Sequence, residues 1–223
     1  MKTCVVIPAY NESEGVAPVI DQIRQQGIEV VLIDDGSTDS TSRIASERGA
    51  VVLRNAANEG KGASLVKGFS YALEKNFDAV ITMDGDGQHD PGDIPYLMRL
   101  AQYSKCGIVI GNRMHKTNGM PVVRFLTNRI MSWFLSGLAK QHIPDTQCGF
   151  RLIKIEVLRR LHLTTSNFET ESEILLKSSR LGFKIDSAPI KSLYRSEKSQ
   201  INPLIDTVRF IRYIVKEIWT MSF

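Results

Sequence analysis

The first half of the chain alternates between short β-branched runs and segments in which apolar residues recur every three or four positions. Helical spacing is found at 16–23, 66–73 and 94–101. This alternation is typical of an α/β fold in which a mostly parallel central sheet is flanked by helices. We predict strands at Cys4 to Ile7, Val30 to Ile33, Ala50 to Leu53, Ala79 to Met83 and Gly107 to Ile110.

The second half is less regular, but the same signals predict four further elements. They are a helix at 121–139, a strand at 149–155, a helix at 168–181 that ends before Gly182, and a strand at 183–190. A final amphipathic helix is predicted from Pro203, with Arg209, Arg212 and Lys216 off its apolar stripe. The stripe consists of Leu204, Val208, Ile211, Val215 and Ile218. We therefore expect a single domain over 1–200 and a C-terminal amphipathic helix over 201–223.

The net charge of +4 conceals an asymmetry along the chain. Residues 1–112 carry 10 basic and 15 acidic side chains, whereas residues 113–140 carry five basic and no acidic ones. A nucleic-acid-binding protein should show a basic excess over the whole fold, so we expect no nucleic-acid partner.

The cysteines and the N-terminus indicate the compartment. Cys4, Cys106 and Cys148 are far apart, with no CxxC pair, so neither a disulfide framework nor a zinc site is predicted. The apolar run at 4–7 is too short for the core of a signal peptide. These features favour a reducing, cytoplasmic location.

Polar residues follow four of the predicted strands. In parallel α/β sheets ligands bind beyond the carboxyl ends of the strands, so these residues are the candidates for a site. A cluster of carboxylates at that edge would repel itself unless a cation or hydrogen-bond donors compensated. The segments are Tyr10-Asn11-Glu12, Asp34-Asp35, Asp84-Gly85-Asp86 and Asn112-Arg113.

Asp84, Asp86 and Gln88 have the most informative spacing. In an extended segment alternate side chains share a face, so their oxygens could meet one Mg²⁺ or Mn²⁺ ion. An EF-hand is excluded because His89 and Pro95 occupy the positions that require Gly and Glu. A Walker A loop around Lys61 fails in the same way, since it lacks the first Gly and the final Ser or Thr. The alternative is that these acidic residues only shape turns and cap helices.

Six segments, taken in this order, resemble the family 2 glycosyltransferases of the GT-A fold, and within them the dolichol or polyprenol phosphate mannosyl- or glucosyltransferase branch. The segments are 5–12, 31–39, 58–62, 83–91, 111–113 and 145–151. The resemblance implies a GT-A nucleotide-diphospho-sugar transferase fold and metal-dependent, inverting transfer of a hexose. It also implies a nucleotide-sugar-binding half at 1–112 and an acceptor half at 113–200.

The resemblance also implies roles for individual residues. Asp86 and Gln88 are expected to bind Mg²⁺ or Mn²⁺, with Asp84 near the sugar and ribose. Arg113 is expected to meet the donor diphosphate or the acceptor phosphate, for which a guanidinium is well suited. Lys61 is either a charged wall of the same pocket or a solvated loop residue, and Lys198, beside Arg195, is a candidate for phosphate binding. The remaining residues expected to bind the UDP- or GDP-hexose donor are Pro8, Tyr10, Asn11, Glu12, Ile33, Asp35, Gly85 and Arg151.

The acceptor determines whether a base is needed. A polyprenyl phosphate is already anionic, whereas a saccharide hydroxyl, the alternative acceptor, requires a carboxylate to take its proton. Asp145 is the candidate base, unless it only caps a turn. A catalytically silent binding module is disfavoured by the intact Asp84, Asp86 and Arg113. A nucleotidyltransferase is disfavoured because no glycine-rich loop follows the first strand.

Residues 113–140 combine only positive charge with aromatic and aliphatic side chains. Such a segment suits a helix at a membrane surface, and the alternative is an ordinary helix packed in the core. We expect peripheral association with the cytoplasmic face of a membrane. Relatives often carry membrane-spanning helices after this region, and the sequence up to Phe223 shows none. We therefore expect that release of a lipid-linked product needs a separate membrane-spanning protein.

Overall fold

The computed structural model describes residues 1–115, 120–191, 209–215 and 217. Its strands form one sheet in the order β3-β2-β1-β4-β6-β5-β7. The strands are β1 (Thr3–Ala9), β2 (Glu29–Asp34), β3 (Val51–Arg54), β4 (Ala79–Thr82), β5 (Ile108–Asn112), β6 (Arg151–Lys154) and β7 (Ile185–Pro189). Each of the seven lies on a predicted strand, with ends shifted by up to two residues.

Helices flank this sheet, and the elements of the first half alternate as predicted. A short 3-10 turn at Pro91–Asp93 precedes the fourth helix. The helices are α1 (Val16–Gln25), α2 (Thr41–Glu47), α3 (Lys61–Glu74), α4 (Ile94–Tyr103), α5 (Val122–Ala139), α6 (Ile155–Leu158) and α7 (Glu169–Arg180).

The sheet is mostly parallel, which confirms the predicted α/β class. Strands β1, β2 and β3 pair in parallel, and so do β1 with β4 and β5 with β7. The exception is β6, which lies between β4 and β5 and is antiparallel to both. Because two antiparallel pairings cancel, β5 runs in the same direction as β4.

Two helices were not predicted from apolar periodicity, although Gly49 stands at a position typical of a helix C-cap. Helix α2 buries only Thr41 and Ala45, and α6 is four residues long. Neither has enough apolar residues at helical spacing to be recognised by periodicity. Gly49, at φ 77°, follows α2 in the left-handed conformation that glycine adopts without strain.

Helix α5 lies where a helix was predicted, but most of its large apolar residues face solvent and two polar residues lie on its buried side. Its large apolar residues point outward, with exposed fractions of 51% to 79% at Val122, Val123, Leu126, Ile130 and Trp133. Its buried side is formed by Asn128, Ser132, Leu135 and Ala139. Among the described residues, the apolar face of this helix is therefore not packed into the core.

The C-terminal helix corrects the prediction in one respect. Residues 209–215 are helical, and the side packed on the core is formed by Phe210, Tyr213 and Ile214. Ile211 and Val215 belong to the predicted apolar stripe but are more than half exposed. Periodicity identified a stripe, but it could not tell which of two apolar sides packs. The remainder of the predicted helix, including Pro203, lies outside the described residues.

In the part of the chain that the structure covers, no helix combines the length and the hydropathy that a bilayer span requires.

Two glycines within helices provide a test of this packing. A Cβ added to Gly68 in α3 would lie 2.4 Å from Cγ1 of Val6 on β1, whereas one added to Gly137 in α5 meets nothing within 4 Å. Val6 is β-branched and stiff, so it cannot turn away. We expect Gly68→Ala to lower the free energy of unfolding by about 1–3 kcal/mol in urea titrations.

Gly137→Ala is the matched control. It should be neutral or stabilise by up to about 1 kcal/mol, because alanine is the better helix former. Equal effects of the two substitutions would contradict the close packing of α3 on β1.

Candidate active site

The polar residues that follow β1, β2, β4 and β5 share one edge of the sheet, since these four strands run in the same direction. Strand β6 runs the opposite way and therefore begins at this edge. Its first residue, Arg151, is paired with Thr82 of β4 and Ile110 of β5. The segment at 145–150, which leads into β6, is thereby brought to the same edge.

Three charged side chains meet directly at this edge. Lys61 Nζ lies 2.6 Å from Oδ1 of Asp84 and 3.1 Å from Oε1 of Glu171. The two carboxylates crowd over Gly149, where an added Cβ would be 2.8 Å from Asp84 Oδ2 and 3.0 Å from Glu171 Oε1. Lys61 is thus part of the site and not a solvated loop residue, as its side chain is only 16% exposed.

Glycines on either side of Lys61 allow α3 to approach the loop before α7. A Cβ on Gly62 would lie 2.0 Å from Oγ1 of Thr170, and one on Gly60, at φ 99°, would lie 2.5 Å from the carbonyl oxygen of Ser166. The Ala63 amide donates to that same carbonyl at 3.0 Å. The Gly60-Lys61-Gly62 motif therefore serves close packing between backbones, which carries the ammonium to the two carboxylates.

The cluster is electrostatically compensated. Burial alone would raise the pKa of Asp84, but the Lys61 ammonium outweighs burial and holds that pKa far below its usual range. Burial would lower the pKa of Lys61, and the charges of Asp84 and Glu171 reverse this effect and raise it. His89, enclosed beside Phe150, has its pKa lowered to about 4 by burial and is therefore neutral at pH 7.

A second ion pair joins Arg113 to Asp145. Nε and Nη2 of Arg113 donate to the two carboxylate oxygens at 2.8 Å and 2.9 Å, and its backbone N–H donates to Oδ2 at 3.1 Å. Asp145 is fully buried. Burial would raise its pKa, but the hydrogen bonds and charge of Arg113 prevail and lower it. In this arrangement Asp145 orients Arg113, and it is poorly placed to take a proton from an acceptor.

Hydrogen bonds join the loop that follows β1 to the segment that follows β2. The amide of Asn11 donates to Oγ of Ser37, and its Oδ1 accepts from the amide of Thr38. The amide of Glu12 donates to Oγ1 of Thr41. Pro8, Tyr10 and Glu12 are partly exposed along this rim, where a planar ligand could be held.

Several predicted donor-binding residues hold the site together from within. Asp35 accepts from Asn55 Nδ2 and from the amides of Glu59 and Gly60, all within 2.9 Å. A Cβ added to Gly85 would lie 3.3 Å from Cγ2 of Ile7 and 3.7 Å from Cβ of Glu12, so Gly85 is closely packed. Arg151 is buried and donates to three carbonyl groups.

Two other predicted residues cannot be placed at the pocket. The side chain of Ile33 is fully buried within β2, so the structure does not bring it to the site surface. Lys198 lies outside the described residues.

Asp86 and Gln88 fit a hard divalent cation. Both are partly exposed at the site edge, and the backbone N–H of Gln88 donates to Asp86 Oδ1 at 2.9 Å, which leaves the side-chain amide of Gln88 out of this hydrogen bond. A carboxylate and an amide oxygen are ligands suited to Mg²⁺ or Mn²⁺. Among the described residues no group of three or more His, Cys, Asp and Glu could hold a metal. Mg²⁺ at nucleotide sites commonly takes one or two protein ligands together with substrate phosphates and water, so two ligands from the chain would suffice.

Glu171 is the site residue that sequence reasoning missed. It stands in the first turn of α7, where acidic residues are common because they complement the helix dipole. Nothing in the sequence separates it from its neighbours Glu169 and Glu173. Only the packing of α3 against α7 identifies it as the second partner of Lys61.

The family model described as Glycosyl transferase family 2 matches residues 4–161. An undecaprenyl-phosphate mannosyltransferase from Micrococcus luteus is 28% identical, over 87% of this chain and 85% of its own length. A UDP-N-acetylglucosamine–dolichyl-phosphate N-acetylglucosaminyltransferase from Methanococcus voltae is 26% identical, over 85% of each chain. Among solved structures, glucosyl-3-phosphoglycerate synthase from Mycobacterium tuberculosis, in complex with Mn²⁺, UDP and glucosyl-3-phosphoglycerate, shares the fold. Its TM-score is 0.74 at 21% identity, over 98% of this chain and 79% of that one.

The buried pair predicts a pH-dependent loss of stability. Asp145→Asn leaves the Arg113 guanidinium buried without its carboxylate. This should lower the free energy of unfolding at pH 7 by about 3–5 kcal/mol. Because the folded pKa of Asp145 is lowered, its contribution is present above the unfolded pKa of about 3.9 and is lost as the pH falls below it. Urea titrations at pH 7, 5 and 3 measure the free energy of unfolding. The difference in this free energy between the wild type and the variant should narrow only at pH 3.

Asp21→Asn is the control, since Asp21 pairs with Arg48 on the surface. It should cost no more than about 1 kcal/mol. A gap for Asp145→Asn that is as small as this control would refute the buried pair.

Proposed function

The chain belongs to glycosyl transferase family 2, and from this premise we propose that it transfers a hexose from a nucleotide-diphosphate sugar to a polyprenyl phosphate. The relatives from Micrococcus luteus and Methanococcus voltae are named for transfer to undecaprenyl and dolichyl phosphate, which supports this acceptor. The expected donor is a UDP- or GDP-hexose, and the expected outcome at the anomeric carbon is inversion.

The donor would bind in the half formed by 1–112. The rim at Pro8, Tyr10 and Glu12 offers an aromatic face and acceptor groups for the base and ribose. Asp84, held by Lys61, faces the place where the sugar and ribose would lie. The ordered loops around Asn11 and Asp35 preorganise this pocket, so little entropy is lost on binding.

Charge development explains the rest of the site. As the sugar–phosphate bond breaks, negative charge grows on the departing diphosphate, and a divalent ion on Asp86 and Gln88 would stabilise that charge. Complexes of the Mycobacterium tuberculosis synthase contain Mn²⁺ or Mg²⁺ with UDP, which supports this cofactor. Arg113, oriented by Asp145, would meet the donor diphosphate or the acceptor phosphate.

The choice of a lipid phosphate rests on one observation, the exposed apolar face of α5. This helix begins nine residues after Arg113, and its outer side presents Ile130 and Trp133 to solvent. No acidic residue occurs in 113–140, so the surface would suit anionic headgroups. We propose that residues 113–200 form the acceptor half and that the protein binds peripherally to the cytoplasmic membrane face.

The engagement of Asp145 by Arg113 favours an acceptor that is already ionised. A phosphate monoester needs no general base, and the predicted base has both oxygens occupied. For the rival acceptor, a saccharide hydroxyl, another carboxylate of the site, such as Glu171 beside Lys61, would have to take the proton.

Transfer of radiolabelled hexose from UDP- and GDP-sugars to a short polyprenyl phosphate should require Mg²⁺ or Mn²⁺. Asp86→Ala should lower the rate about 100-fold, because the leaving charge loses its stabilising ion. Asp90→Ala is the control, since Asp90 caps the 3-10 turn through the amide of Gly92 and forms a long ion pair with the exposed Lys191.

Three outcomes of the transfer assay would count against these assignments. Transfer that survives complete chelation, or that is unchanged in Asp86→Ala, would contradict the metal site. A labelled free saccharide without any lipid-linked product would favour the rival acceptor.

Flotation with vesicles tests the α5 surface. Ile130→Glu combined with Trp133→Glu should reduce binding to vesicles containing anionic lipid at least about tenfold, since each buried apolar side chain contributes about 1.5–3 kcal/mol. Tyr103→Glu alters an equally exposed aromatic residue on α4 and should have no effect. Equal flotation of all three proteins would rule out α5 as the docking surface.

A further inference from the structure

The position of Arg113 is set by Asp145, and the position of Asp145 is not set by regular secondary structure. Asp145 lies between the end of α5 at Ala139 and the start of β6 at Arg151. A fully buried carboxylate that accepts from three N–H groups of one arginine determines where the guanidinium points. The anchors of this irregular segment therefore decide the geometry of the site.

Two serines of α5 provide anchors on either side of Asp145. Oγ of Ser132 accepts from the amide of Thr146 at 2.9 Å and lies 3.1 Å from its Oγ1. Oγ of Ser136 accepts from the amide of Ile143 at 2.9 Å and donates to the carbonyl of the same residue at 3.2 Å. Asp145 is thus held between two backbone groups that the same helix binds.

These serines occupy positions where an ordinary amphipathic helix would carry large apolar residues. They are one turn apart, with Ser132 buried and Ser136 half-buried, while Ile130 and Trp133 face outward. A serine within a helix usually turns its hydroxyl back to the preceding turn or to solvent. Here both hydroxyls point away from the helix and form hydrogen bonds with the segment that contains Asp145. The polar residues on the inner side of α5 therefore have a defined structural role.

We propose that Ser132 and Ser136 are positioning residues for Arg113, acting through the segment 143–146. This inference rests on the proposed function, in which Arg113 meets a phosphate. It deepens that function because α5 also carries the exposed apolar face. A single rigid helix then fixes both the surface that would rest on the lipid and the guanidinium that would meet the phosphate.

The first measurement follows Arg113 itself and needs no substrate. The Nε–H signal of Arg113 can be assigned in the ¹H–¹⁵N spectrum of the whole protein as the signal that Arg113→Lys removes. Its hydrogen should exchange slowly with solvent, because it is hydrogen-bonded to Asp145. Ser132→Ala and Ser136→Ala should each speed this exchange at least about fivefold, the equivalent of one hydrogen bond. Ser178→Ala is the control, a buried serine of α7 whose Oγ has no hydrogen-bond partner among the described residues.

The second measurement is a double-mutant cycle on transfer. Ser132→Ala should lower kcat/KM for the polyprenyl phosphate about tenfold, because a displaced Arg113 guanidinium would stabilise the reacting phosphate less. In an Arg113→Ala background the same substitution should change kcat/KM less than twofold, since the effect passes through Arg113. A purely structural role would lower the activity by the same factor in both backgrounds.

The two measurements separate failure of the inference from failure of the proposed function. Unchanged exchange in both serine variants, or equal loss in the two backgrounds, would overturn the positioning role even if the enzyme transfers hexose to the lipid. Absence of transfer by the wild type would overturn the proposed acceptor, and faster exchange in the serine variants would still support the link to Arg113.

Discussion

The guanidinium of Arg151 is the interaction on which the site depends. It is almost completely buried in β6 and donates to the carbonyl groups of Cys148, Thr146 and Glu171, at 2.7 Å, 3.0 Å and 2.6 Å. A buried cation is tolerated only where its donors find acceptors, so the two segments that supply these carbonyls must stay against the sheet. One carries Asp145 and the other begins α7. Both ionic groups of the site are therefore anchored by the residue that starts the antiparallel strand.

The two ionic groups divide the work of charge compensation. Lys61 stabilises the carboxylates of Asp84 and Glu171, and Arg113 is paired with Asp145. A lysine or an arginine of the chain therefore faces each of these carboxylates, which lowers the cost of grouping acidic side chains away from water. The proposed cation position at Asp86 and Gln88 lies beside this compensated cluster, where the diphosphate of a donor would add its own oxygens.

Helix α5 connects the membrane-facing proposal to this chemistry. Its outward apolar residues would be costly in a protein that presented them only to water, and its inward serines forgo apolar burial in favour of hydrogen bonds to the segment beside Asp145. Both departures from ordinary helix patterning occur in the same 18 residues. The outer side of α5 thus carries the proposed membrane-binding surface, and its inner side holds the segment beside Asp145.

The sequence by itself determined the α/β class, the seven strands and the family, because buried parallel strands are nearly continuous apolar runs and because six motifs occur in order. It also predicted that Asp84, Asp86 and Arg113 lie at one edge, since polar residues after parallel strands meet there. Asp145 reaches that edge through the antiparallel strand β6, which the sequence did not show to be antiparallel. The sequence could not show that Glu171 shares Lys61, that Asp145 is held by Arg113, or that Arg151 binds backbone carbonyls and Ile33 is internal. Those facts arise from contacts between residues distant in the chain, and side-chain type does not encode them. Likewise, helical periodicity places a stripe on α5 or on 209–215, but only tertiary packing decides which side of the helix faces the core.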